Sequence, residues 1–126
     1  MTAPASLTLT TLVTGPGAGA RERAIAAALR PGEDTAIILE GLADATSPLA
    51  EFDGSGWQPA LLRIAPGCLC CAGNLVLRVT LNRLLRRPPA RLFISLADAA
   101  HVGQLRVFLS APPYDSLLSL CSDIAA

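Results

Sequence analysis

Cys68-Leu69-Cys70-Cys71 places three thiols within four residues, directly after Pro66-Gly67, in a chain that has one other cysteine. A thiolate is a soft, strong ligand for zinc and the neighbouring late transition metals. Zinc takes a fourth donor, supplied by water, a side chain or a partner protein. Glu40 closes a short apolar run and is the expected oxygen ligand, because strand ends of a parallel sheet share one edge. His101 and then Asp98 are further candidates, and Cys121, far along the chain, reads as a core cysteine. Two bland chemistries compete with the metal. The thiols could be buried without an ion, or Cys68 and Cys71, at Cys-x-x-Cys spacing, could form a redox pair. The extra thiol between them departs from a redox motif, and a disulfide joining adjacent Cys70 and Cys71 would be strained.

The second group of interest is Gly15-Pro-Gly-Ala-Gly19, between a strand-like run and a helix-like one. Such a turn lets backbone N–H groups and the helix dipole meet a phosphate. A working phosphate-binding loop also needs a lysine for the β- and γ-phosphates and a Ser or Thr for magnesium. The chain contains no lysine at all. Only three residues separate Gly15 from Gly19, Ala20 stands at the lysine position, and Arg21 stands at the magnesium hydroxyl position. Gly15, Gly17, Gly19, Ala20 and Arg21 therefore form a degenerate nucleotide site, with Arg21 as a substitute cation for an anion. The plain alternative is a strand-to-helix turn in which glycine permits close packing.

These groups need a scaffold, and 126 residues with 52% hydrophobic content are enough to build a core. Aromatics are only 4%, so that core is aliphatic. Ten basic and ten acidic residues balance, which argues against nucleic-acid or membrane-surface binding. No apolar run reaches the roughly 18 residues of a membrane span. The first residues lack a positively charged start, so a cytosolic location with reduced thiols is expected.

Hydrophobic patterning predicts strands over 7–14, 35–40, 60–64, 91–96 and 117–121, and helices over 21–30, 74–87 and 101–109. The stretch 41–58 reads as loop, with a helical turn at 48–52. On the middle helix the predicted inner face is Leu75, Val79 and Leu85 with Leu77, Leu81 and Leu84. Asn82 is the exception on that face, and Arg78, Arg83, Arg86 and Arg87 lie toward solvent. The alternation of strands and helices predicts an α/β fold, a parallel sheet covered by helices on both faces.

Taken together, these segments resemble the CobW-type metallochaperone GTPases, relatives of the UreG and HypB nickel-delivery GTPases. Val13-Thr14-Gly15 through Gly19 is similar to that family's phosphate loop, one residue short. Glu40 falls near the acidic residue that closes the family's second strand. Gly67-Cys-Leu-Cys-Cys71 matches the Gly-Cys-x-Cys-Cys signature, and 72–86 has the family look. The stretch 91–101 resembles the strand that normally ends in Glu-Pro-Thr-Gly or Glu-Thr-Ser-Gly. On a gapless match Ser95 takes the glutamate position, and Leu96-Ala-Asp98 fits a later Leu-Ala-Asp. The guanine-specifying Asn-Lys-x-Asp segment has no counterpart.

The resemblance implies one P-loop NTPase-like, Rossmann-like three-layer domain over 1–126, truncated and degenerate in its nucleotide site. It implies a transition-metal-binding protein, zinc foremost, with GTP hydrolysis lost. Its partners would be the metal ion, a client metalloprotein or full-length relative, and a second copy of itself through Leu117–Ile124. A weak or partner-assisted GTPase is the alternative, and a fragment without independent activity is the third reading.

Overall fold

The computed structural model describes residues 7–41, 49, 56–64 and 75–126. Its strands are β1 (Thr8–Thr14), β2 (Thr35–Glu40), β3 (Ala60–Ile64), β4 (Arg91–Ser95), β5 (Leu118–Leu120) and β6 (Ile124–Ala125). Its helices are α1 (Ala18–Ala28), α2 (Leu75–Leu84) and α3 (Val102–Leu109). Short 3-10 turns at Ala99–His101 and Tyr114–Ser116 flank α3.

The strands form one six-stranded sheet in the order β3-β2-β4-β1-β5, with β6 pairing the far end of β1. All the pairings are parallel. The crossover α1, from β1 to β2, covers one face, where Ile25 packs with Val13, Ile37, Leu39, Leu49 and Phe93. The helices α2 and α3 cover the other, where Leu77, Leu81, Leu105 and Leu109 pack with Leu12, Ile38, Leu92 and Ile94. This is the three-layer α/β architecture that strand–helix alternation predicts. Every residue of β2 is buried, as befits a strand enclosed on both sides and both faces. The edge strand β3 is mostly exposed, apart from Ile64.

Three sequence expectations need correction. The middle helix is turned about its axis relative to the predicted face: Leu77 and Leu81 are buried, but Leu75 and Val79 are 63% and 49% exposed. Two aliphatic rows compete on this helix, and only the row that meets α3 and the sheet wins burial. The last predicted strand, 117–121, is shorter, and β6 follows it as a separate piece beside Val13 and Thr14. Leu118 of the expected subunit-contact segment faces the molecule's own core at 4% exposure. Finally, α1 begins at Ala18 rather than at Arg21, so Gly19, Ala20 and Arg21 belong to its first turn. Of the predicted helical turn at 48–52 only Leu49 lies among the described residues.

Candidate functional site

The connections leave β1 and β4, which are neighbours, toward opposite faces: α1 to one side, α3 to the other. In an open parallel sheet the crevice outside the carboxyl ends of two such strands is the usual ligand position. Three pieces of chain meet at this edge: the glycine turn after β1, Glu40 at the end of β2 and Ser95 at the end of β4. The pairing register aligns Val13 with Ser95, Ser95 with Leu39, and Glu40 with Ile64.

Arg21 lies in this crevice at 4% exposure. Its Nε donates to the Ser95 hydroxyl at 2.7 Å, one terminal nitrogen donates to the Gly15 carbonyl at 3.1 Å, and the other makes a longer contact of 3.5 Å to the Glu40 carbonyl. Along the strand Phe93 faces α1, so Ser95, two residues on, shares that face and meets the start of the helix. Glu22, 1% exposed, pairs through Oε1 with Arg63 of β3 at 3.3 Å. The N-terminal half of α1 thus docks on the sheet through two charged side chains. A buried Arg and a buried Glu were not foreseen at these positions. The signals were there: Ser95 ends an apolar strand, and α1 offers Ile25 as its one large aliphatic residue.

The glycine turn is tightly covered. A methyl group placed on Gly15 would lie 2.8 Å from the Ala126 Cβ and 3.2 Å from the Arg21 Cγ. The Ala126 N–H donates to the Thr14 carbonyl at 2.7 Å. Around Gly17 there is open space. The N-cap of α1 is Gly17, with no side-chain cap and no acidic residue in the first turn. The turn has neither the lysine nor the magnesium hydroxyl that a hydrolytic phosphate loop uses, and Arg21 is directed inward onto Ser95.

Of the expected metal ligands, Glu40 lies among the described residues. The Glu40 carboxylate is 5% exposed and accepts from the Ala97 N–H at 2.7 Å. The Gly41 N–H donates to the Ile64 carbonyl at 3.0 Å, closing the ends of β2 and β3 together. Cys68, Cys70 and Cys71 lie outside the described residues. Cys68 follows Ile64 by four positions, a tether of at most about 14 Å for an extended chain. Among the described residues no group of three or more His, Cys, Asp or Glu is assembled for an ion.

The secondary candidates have local roles. Asp98 caps the 3-10 turn by accepting from the Ala100 N–H at 2.9 Å, and His101 Nε2 lies 3.5 Å from its other oxygen. Cys121 is half-buried rather than a core residue, with Sγ 3.9 Å from the Ser119 carbonyl. Beside the start of β5, a cavity of about 270 Å³ is lined by Arg78, Asn82, Phe108 and Tyr114 among others. There the Tyr114 hydroxyl donates to Asn82 Oδ1 at 3.1 Å. Burial pushes the Tyr114 pKa up, and the nearby Arg78 charge opposes that shift.

Comparison with known proteins adds a relative. The chain is 35% identical over 92 residues to the zinc chaperone YeiR of Escherichia coli (strain K12), a match covering 71% of this chain and 27% of the relative. The chain belongs to the CobW-type metallochaperone family. It spans about a quarter of that relative's length. No family model and no solved structure matches. The sheet is parallel, and the glycine turn over 15–21 contains neither lysine, serine nor threonine. No helix among the described residues is long and apolar enough to cross a membrane.

Proposed function

We propose that this chain is a zinc-binding metallochaperone-type protein that captures its ion through Cys68, Cys70 and Cys71, with Glu40 as the neighbouring oxygen donor. The observation that carries this reading is the register of β2 on β3. Glu40 and Ile64 are paired at the sheet edge from which the three-thiol segment departs. The likeness to a zinc chaperone supports the choice of metal. Three thiolates and a carboxylate make a four-donor set of the kind zinc takes. The ion is cargo: it is stored, handed to a client metalloprotein or sensed, in the cytoplasm, with a second copy or a full-length relative as partner.

GTP hydrolysis is lost in this reading. Phosphoryl transfer depends on positioning and neutralising charge, and the groups that do so are missing from the turn.

Binding zinc to thiols releases protons and stabilises the fold. Reduced protein titrated with one equivalent of zinc is expected to release protons and gain a higher thermal midpoint. Replacing Cys68, Cys70 and Cys71 together by Ser should abolish both effects. An unchanged midpoint with no proton release in the parent protein would end the proposal.

A further inference from the structure

We infer that Arg21 is a built-in cation that closes the switch-point crevice, so that metal capture by this domain runs without a nucleotide. The second clause rests on the metal reading above; the first stands on geometry alone.

A phosphate loop of the working kind holds an external assembly, a magnesium ion with its phosphates, between the glycine turn and the neighbouring strand ends. Here a guanidinium of the protein's own spans that position. Its partners come from three separate places: the Gly15 carbonyl after β1, the Ser95 hydroxyl ending β4, and the Glu40 carbonyl ending β2. In the sheet these strands are consecutive, β2-β4-β1. One side chain therefore ties together the three strand ends that an exogenous cation and phosphate would otherwise bridge.

Electrostatics make this arrangement purposeful rather than incidental. A cation at a helix N-terminus opposes the helix dipole, and burying it adds a desolvation cost unless acceptors surround it. The fork of guanidinium donors suits several acceptors at once, which a lysine ammonium would meet with less directional fit. Gly15 lets Arg21 Cγ and Ala126 approach within distances that a side chain there would forbid. Loop, arginine and Ala126 thus close the same space from two sides. Arg21 thereby joins the ends of β2 and β4, and the Glu40 carboxylate accepts from the Ala97 N–H just past β4.

The experiment uses the full chain in three arms. In the first, calorimetry with millimolar Mg-GTP should show no saturable binding to the parent protein; saturable binding overturns the inference. In the second, Arg21→Ala should lower the thermal midpoint, and millimolar methylguanidinium should restore about half of that loss, as expected for a ligand of the native state. Tetramethylammonium at the same concentration should restore none. Equal effects of the two salts, or no rescue, overturn the inference. Should Arg21→Ala fail to fold, Arg21→Lys replaces it. That variant should retain the fold with a lowered midpoint that methylguanidinium leaves unchanged, and a parent-like midpoint overturns the inference. In the third arm, zinc affinity is measured by chelator competition with and without Mg-GTP, and should agree within about twofold. A shift of about tenfold, which is about 1.4 kcal/mol of coupling, overturns the nucleotide-independent clause. Absence of any zinc binding sinks the metal reading instead, and the first two arms still decide the role of Arg21.

Discussion

On the face covered by α2 and α3, Leu77, Leu81, Leu105 and Leu109 meet an apolar sheet surface, extended by Tyr114 and Leu118. On the opposite face α1 is alanine-rich and contributes Ile25 as its only large buried aliphatic, alongside buried Arg21 and Glu22. The first face is held by area removed from water, which is non-directional and tolerant of small shifts. The second is held by directional contacts: Arg21 to Ser95, Glu22 to Arg63, and Arg91 to the Ala28 carbonyl at 2.7 Å. A helix located by hydrogen bonds keeps its position along the sheet more narrowly than one located by grease. Ser95, at the carboxyl edge of β4, lies under that helix.

The contrast predicts how each face fails. Leu77→Ala should cost the most, about 2–5 kcal/mol in urea unfolding, as large-to-small core changes do, and the loss should be insensitive to salt. Glu22→Ala leaves Arg63 unpaired at the edge of the buried layer and should cost about 1–3 kcal/mol. Since Arg63 is partly exposed, added salt should shrink the difference from the parent. Equal salt response in the two variants would erase the distinction between the faces.

Tyr114→Phe gives a smaller effect, about 0.5–1.5 kcal/mol for the lost hydrogen bond to Asn82. It also tests a pH window. The folded pKa of Tyr114 is raised above its ordinary 10.0, so the folded state holds that proton more tightly than the unfolded chain. The associated stability is complete below pH 10.0 and is lost as pH rises through the folded value. The parent should therefore lose stability in that alkaline range more steeply than Tyr114→Phe. At the low end, Asp123→Ala removes an ion pair with Arg106 whose side chains are 35% and 40% exposed. It should cost about 0.2–1 kcal/mol, vanishing at high salt.

Much of the scaffold was legible because the signals were local. The run 35–40 read as a buried strand, and β2 occupies Thr35–Glu40. The pair Pro88-Pro89 marks the stop after α2, and Pro89 accepts from the Thr8 hydroxyl at 2.7 Å. What escaped depends on contacts far apart in sequence. The rotation of α2 is decided by α3 and the sheet, which lie outside its own heptad-scale pattern. The inward turn of Arg21 depends on Ser95, 74 residues away. An arginine in an alanine-rich helix carries no local mark of burial. At the candidate site, Glu40 at the end of β2 was readable from the apolar run 35–40, whereas the contacts of Arg21 needed the strand order.

At its two ends α1 is joined to β4: Arg21 of its first turn reaches Ser95, which ends that strand, and Arg91, which begins it, reaches the Ala28 carbonyl. A helix pinned fore and aft to one central strand cannot peel away from one end without disturbing that strand. Its amides should therefore exchange with deuterium in step with those of β4, as one cooperative block.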